Sequence, residues 1–314
     1  MAAVLTITLN PTIDVFGEAA EVHPTHKVRL KDTSFEPGGG GINVARVIST
    51  LGGEVEALAL SGWEMGDFLG RLLKDEGIPW KPVPMEGETR VALMVHDQST
   101  GLEYRFLPEG PEVHEHEIDA CADAILHKTE GFVVASGSLP RGAPVDSYVR
   151  LAKAAARNAL PFVLDTSGAA LKAALDHGGI HLVKPSHSEL ESYAGHDLDA
   201  AGIEATAKAI IARGQAGIVA VTLGADGAVL VTADRLLRLP AMEVEVRSAV
   251  GAGDSFLGAM VWALSEGWDV DQAFLLGMAA GAAATGNPGT SLCRREDVFG
   301  LFEKAGGKAP AARA

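Results

Sequence analysis

The sequence predicts an α/β fold: a mainly parallel central sheet flanked by helices, with a small β lid outside it. Short strand-like runs alternate with helical periodicity over most of the 314 residues, the pattern of a parallel sheet wrapped by crossover helices. Hydrophobic residues make up 47% and charged residues 21%, which suits a deep core and excludes a disordered chain or a coiled coil. Two segments break the alternation and read as extra strands.

Val4–Leu9 is the first strand, alternating apolar residues with Thr until Asn10-Pro11 stops it. It lacks the basic flank of a secretory signal. Val15–Leu30 is irregular and strand-like. Val44, Val47, Ile48 and Leu51 then recur at i, i+3, i+4 and i+7 after Asn43, a helix closed by Gly52-Gly53. Glu54–Leu60 reads as strand and Phe68–Lys74 as helix. Arg90–Val95 and Glu103–Leu107 flank Asp97-Gln-Ser-Thr-Gly101, a hairpin signal. Lid strands within 12–35 and 88–108 would cover the strand ends, where α/β enzymes bind ligands.

His114-Glu-His116-Glu opens a solvated helix and is not read as a metal site. Phe132–Ala135, Phe162–Leu164, His181–Val183 and Ile218–Thr222 read as strands, with helices at Val145–Arg157 and Ala205–Ala212. After Thr222 come short strands at Ala228–Val231 and Leu236–Leu239, then helices from about Ser255. The apolar stretch Ala273–Ala284 is too short to span a bilayer, which needs about 20 residues. Residues 1–305 read as one unit, and the Gly, Ala, Pro, Lys and Arg of 306–314 predict a disordered tail.

The formal net charge is −15, from 26 Lys plus Arg against 41 Asp plus Glu. That excludes non-specific binding to nucleic acid or an anionic membrane, and any anionic ligand must meet local positive groups. Two distant cysteines, Cys121 and Cys293, offer neither a disulfide framework nor a zinc cluster. A cytoplasmic protein with buried free thiols is expected. Glycine is over-represented, with 37 residues against a usual share of about 7%.

No Walker A motif, dinucleotide fingerprint, protein-kinase signature or H-E-x-x-H occurs. The glycines gather at two places. Glu36-Pro-Gly-Gly-Gly-Gly-Ile-Asn43 leads into a helix and presents bare N–H groups beside its N-terminus, an environment for a hydroxyl-rich or anionic ligand. Ser248-Ala-Val-Gly251-Ala-Gly-Asp254-Ser also starts a helix. There the amides of Gly251, Ala252 and Gly253 can aim at a developing anion, and Asp254 can accept a proton from an attacking hydroxyl. A plain helix cap fits the same residues. An esterase reading of Ser255 is weaker, because Leu257 stands where G-x-S-x-G needs Gly.

Together the glycine run ending in Asn43 and the late Gly-Ala-Gly-Asp-Ser resemble the two signatures of the ribokinase-like, or PfkB, carbohydrate kinases. The resemblance runs from Thr6 to about Phe302. Thr8-Leu-Asn-Pro-Thr-Ile-Asp14, Phe35–Arg46, Glu103-Tyr-Arg-Phe106 and Gly137-Ser-Leu-Pro140 resemble the phosphosugar branch. Within it, Gly40 stands where 1-phosphofructokinases and tagatose-6-phosphate kinases often carry Lys, so the minor ATP-dependent 6-phosphofructokinases are the nearer type. The three-layer ribokinase-like fold is implied.

The implied reaction moves the ATP γ-phosphoryl group to the C1 hydroxyl of fructose 6-phosphate. Asp254 is then the base and the Gly251–Gly253 amides the anion hole. The resemblance assigns Asp14, Gly38, Gly39 and Asn43 to the sugar hydroxyls. It assigns Lys27, Arg90, Arg105 and Ser138 to the 6-phosphate, which Arg forks suit. Lys184, Thr222, Gly224, Gly227 and Asn287 are assigned to the nucleotide. Glu189 helps place Mg²⁺ through water, and Ser186 stands where the family's N-x-x-E element has Asn. A K⁺ ion near Ser248–Val250 and Asn287–Ser291 and a homodimer through the β lid are further implications. Tagatose-6-phosphate kinase and 1-phosphofructokinase are the alternatives, with a non-catalytic sugar-phosphate sensor from another class.

Overall fold

The computed structural model describes residues 4–287, 289 and 291–309. β1 (Val4–Thr8) is buried along its whole length, as a strand covered on both faces must be. β2 (Thr12–Ala19) and β3 (Lys31–Gly38) form an antiparallel pair. The stretch read as Val15–Leu30 is therefore corrected: residues 20–30 form no strand, since Pro24 lacks a donor and Thr25 has φ 67°. α1 (Gly40–Thr50) starts three residues before Asn43. Gly39 caps it with φ 105°, and Gly41 passes so close to β1 that a Cβ would stand 2.5 Å from the Ile7 carbonyl oxygen. Part of the glycine run thus serves packing between helix and sheet.

β4 (Val55–Ser61), α2 (Trp63–Asp75) and β5 (Trp80–Pro84) follow. β5 carries two prolines and lies at the sheet edge, the place where Pro is tolerated; its composition hid it from a reading by pattern. β6 (Arg90–Asp97) and β7 (Leu102–Phe106) make the expected hairpin. Next come α3 (Glu115–Leu126), β8 (Phe132–Ser136), α4 (Ser147–Arg157), β9 (Phe162–Asp165), α5 (Gly168–His177), β10 (Ile180–Val183), α6 (His187–Ala194), α7 (Ala200–Ala212) and β11 (Ala216–Thr222). α6 buries one residue, Leu190, and so shows no stripe. β12 (Ala228–Val231), β13 (Leu236–Leu239), α8 (Ala252–Ser265), α9 (Val270–Thr285) and α10 (Arg295–Lys304) complete the chain. α8 begins at Ala252, earlier than the periodicity from Ser255 indicated, and Asp254 is its third residue, with Gly251 as the cap.

The main sheet has nine strands in the order β13-β12-β11-β10-β9-β8-β1-β4-β5, parallel except at β11–β12 and β12–β13. α1, α2, α8, α9 and α10 cover one face and α3 to α7 the other, giving three layers with a hydrophobic core on each side. Leu5, Ile7 and Leu9 join one core and Val4 the other, the period-2 alternation of a strand. β3-β2-β6-β7 form a separate four-stranded sheet. Of the expected disordered tail, Gly307 is tied back by its N–H to the Phe302 carbonyl at 2.9 Å and Lys308 by its N–H to Gln272 at 2.8 Å. Residues 310–314 lie outside the described residues. No helix among the described residues is long and apolar enough to cross a membrane.

Candidate active site

The N-termini of α1 and α8 converge over the C-terminal ends of β1, β8, β9 and β10, where open α/β sheets bind ligands. Asn43, in α1, donates from Nδ2 to Asp254 Oδ2 at 2.9 Å. Burial raises the Asp254 carboxyl above its usual range, while Asn43, Ser136 and the Lys184 charge pull it down. Gly251 is left-handed, φ 72°, which turns the chain into α8. A Cβ on Gly253 would stand 3.4 Å from Lys184 Nζ, so the lysine lies against the bare backbone of this cradle.

Lys184, at the end of β10, and Asp165, at the end of β9, form an ion pair at 3.1 Å with side chains 5% and 14% exposed. Burial pushes Asp165 up to about 7, with the Asp254 and Glu189 charges adding to it and Lys184 opposing. For Lys184, burial pulls downward, but Asp165, Glu189 and Asp254 outweigh it and the net shift is upward. Asp165 escaped the sequence reading. Its signal was position alone, a carboxylate at the C-terminal end of a parallel strand in Phe-Val-Leu-Asp165.

Glu189 and Ser186 cap α6 reciprocally: Ser186 N–H donates to Glu189 Oε2 at 2.7 Å, and Glu189 N–H donates to Ser186 Oγ at 3.3 Å. Ser186 thereby has a structural role as the cap of α6. Thr222 bridges to Ser186 and donates its N–H to the Pro185 carbonyl at 3.0 Å. Gly224 (φ 60°) and Gly227 (φ 91°) bound the turn that follows. Asn287 Nδ2 donates to the Leu292 carbonyl at 2.8 Å and lines a cavity of about 450 Å³ with Arg247, Gly286 and Asp297. Of its neighbours named above, Pro288 and Thr290 lie outside the described residues.

The register of the small sheet decides which lid residues share a face. Asp14 pairs with Ala92 and Glu36, Thr12 with Arg90 and Gly38, and Met94 with Arg105. Side chains in register point the same way, so Asp14, Arg90, Arg105 and Gly38 belong to one face. A Cβ on Gly38 would stand 2.2 Å from Asp14 Oδ2. Burial raises Asp14 to about 6, against a Thr12 hydrogen bond and the Arg46 and Arg90 charges. Arg90 donates to the carbonyls of Pro108 at 2.9 Å and Asn10 at 3.0 Å, so its terminal nitrogens are partly engaged by backbone and the fork is not free. Its Nε and Asn10 Oδ1 are buried without a partner, polar atoms that a bound ligand would satisfy.

Asn10 also donates to Ser138 Oγ at 3.3 Å, and Gly137 beside it has φ 118°. The Gly137 carbonyl accepts from Tyr148 at 2.8 Å and Thr166 at 2.9 Å. Asn10, Ser138 and Arg90 are thus brought together. Arg105 is held by Glu103 at 2.9 Å. Lys27 lies exposed on the loop 20–30, with no ion pair among the described residues. A second cavity, of about 580 Å³, opens beside Arg90, Gly110 and Arg141. Asp254 lines neither cavity and stands at the cradle between the residues assigned to the two ligands.

A family model described as "pfkB family carbohydrate kinase" matches residues 4–297. The ATP-dependent 6-phosphofructokinase isozyme 2 of Mycobacterium tuberculosis (strain ATCC 25618 / H37Rv) is 39% identical over 305 residues, covering 96% of this chain and 89% of its own. The structure of phosphofructokinase-2 from Escherichia coli in complex with potassium superposes with a TM-score of 0.94 at 36% identity, over 98% of this chain and 100% of that one. The structure of the same enzyme with fructose-6-phosphate gives 0.91 at 35% identity, over 97% and 99%.

Proposed function

The chain belongs to the pfkB family of carbohydrate kinases, and on that premise we propose that it is an ATP-dependent 6-phosphofructokinase, converting fructose 6-phosphate to fructose 1,6-bisphosphate. The observation that carries the reading is Asp254 at the start of α8, half-buried, bonded to Asn43 and preceded by the Gly251–Gly253 amides. The relatives' names supply the substrate, and Arg90 gathered with Asn10 and Ser138 supports a phosphosugar over a neutral one.

The acceptor hydroxyl gives its proton to Asp254 as its oxygen bonds to the γ-phosphorus and the bond to the β-phosphate oxygen breaks, leaving ADP. The amides of Gly251, Ala252 and Gly253, with the α8 dipole behind them, stabilise the charge on the moving phosphoryl group. Asp14, Gly38, Gly39 and Asn43 hold the sugar hydroxyls. Arg90, Arg105, Lys27 and Ser138 hold the 6-phosphate, with the unpartnered Arg90 Nε as one donor. Lys184 neutralises nucleotide phosphate, and Thr222, Gly224, Gly227 and Asn287 border the adenosine.

Among the described residues no three His, Cys, Asp or Glu form a metal cage. Mg²⁺ keeps its waters and is usually held by phosphates with one or two carboxylates; Glu189 and Asp165, whose charges meet around Lys184, are the residues that would hold it. When bound, Mg²⁺ would offset charge on the transferred phosphates. A K⁺ site is assigned to residues 248–250 and 287–291, of which 288 and 290 lie outside the described residues, on the strength of the relative whose structure holds potassium. A homodimer through the lid is supported by Phe35, Val15, Leu93 and Phe106, which are in register across all four strands. Phe35 and Phe106 are about half exposed, an apolar face that suits a second copy.

The test is ATP-dependent ADP release with fructose 6-phosphate, tagatose 6-phosphate, fructose 1-phosphate and fructose. The highest kcat/KM is expected for fructose 6-phosphate, and a clear preference for any other acceptor overturns the assignment.

A further inference from the structure

The lid and the loop feeding α8 meet at a single carboxylate oxygen. Glu103 Oε2, on β7, accepts from Arg105 at 2.9 Å and from Ser248 Oγ at 3.3 Å. Ser248 is buried, and its Oγ also accepts from the Val250 N–H at 3.3 Å, so the hydroxyl sets the shape of the three residues before Gly251. A second contact crosses the same gap: a Cβ on Gly289 would stand 2.7 Å from the Phe16 ring of β2. Among the described residues these are contacts between the lid and loops on the nucleotide side.

We propose that Glu103 is a positioning residue that couples the two substrate sites by holding Arg105 and Ser248 at once. The inference rests on the phosphofructokinase reading above, because it takes Arg105 as a sugar-phosphate cation and Gly251–Gly253 as the phosphoryl cradle. Phosphate at the cradle fixes residues 248–250, Ser248 then fixes Glu103, and Glu103 aims Arg105 before the sugar arrives. Coupling of this kind is reciprocal, so the phosphosugar tightens the nucleotide by the same factor. A carboxylate that merely kept β7 soluble would need no buried partner 145 residues away.

The experiment measures the Kd of fructose 6-phosphate by calorimetry, with and without a non-hydrolysable ATP analogue, in the full-length protein. The analogue is expected to tighten binding by at least about 5-fold, the lower end of typical coupling. In Ser248→Ala the factor falls toward 1, since Glu103 is no longer tied to residues 248–250. Glu103→Ala, with a thermal melt to check the fold, also abolishes the factor, and the double variant loses nothing more. A full factor retained in either single variant overturns the inference, as does a wild-type protein without coupling. Wild-type protein that binds no fructose 6-phosphate in either condition overturns the phosphofructokinase reading itself, a distinct outcome.

Discussion

Asn43 and Asp254, 211 residues apart, are joined by a 2.9 Å hydrogen bond that pins the first turns of α1 and α8 to each other. The contact orients the carboxylate and favours its charged form against the burial that raises its pKa. Asp254→Asn is expected to lower kcat by about 10²–10⁴-fold, the usual contribution of a general base, with substrate Kd little changed. Asn43→Ala removes a bond that lowers the Asp254 pKa, so the acid limb of the kcat profile should move to higher pH. Steady-state kinetics across pH with calorimetry on both variants checks this, and unchanged turnover in Asp254→Asn would remove it as the base.

Arg90 is anchored by two backbone carbonyls and half enclosed, leaving Nε for a ligand. Arg90→Ala should raise KM for the phosphosugar by about 10–100-fold, the worth of a charge-assisted hydrogen bond of about 1.5–3 kcal/mol. KM for ATP should hold within about 3-fold on the same scale. Equal effects on both substrates would take Arg90 out of the sugar-phosphate site.

Asp14 has its pKa raised to about 6 by burial. The folded state then holds the proton more tightly than the unfolded one, so the contribution to stability is fully present below about pH 4 and is lost as pH rises through about 6. Asp14→Asn is neutral at every pH and should be more stable than wild type at pH 8, by at most about 3 kcal/mol, with the gap closing toward pH 4. Urea melts at pH 4, 6 and 8 measure it, and a constant difference across that range would contradict the burial argument.

Gly41 and Gly253 separate packing from catalysis. A Cβ on Gly41 would collide with the Ile7 carbonyl at 2.5 Å, whereas one on Gly253 meets Lys184 Nζ at 3.4 Å. Gly41→Ala should cost about 1–3 kcal/mol of stability by overpacking. Gly253→Ala should leave the melting temperature nearly unchanged and lower kcat. Paired thermal melts and kinetics decide, and the reverse pattern would exchange the two roles.

Much of this was legible in the chain itself. Period-2 and period-3.6 patterns disclosed most strands and helices, because a buried strand or a helix stripe writes its environment into adjacent residues. β5, α5 and α6 escaped: an edge strand with two prolines and a helix burying one side chain carry no such stripe, whereas α5 buries Ala170, Leu171, Ala174 and Leu175 in a short run of small residues. Among site residues, those in short motifs could be named in advance, since Gly251–Asp254 and Gly38–Asn43 each form a local cradle at a helix start.

What the amino-acid sequence determined alone was therefore local: element types, two glycine cradles, and a resemblance strong enough to name a family. The tertiary structure decided what sits opposite what. Asp165 gains its meaning only beside Lys184, Arg90 only against Asn10 and Pro108, and Glu103 only once β7 reaches Ser248. Such pairings depend on strand order and register, which place residues as far as 145 positions apart within a few ångströms. They also depend on burial, which sets how strongly each charge is felt, and neither quantity is written in a residue's immediate neighbours.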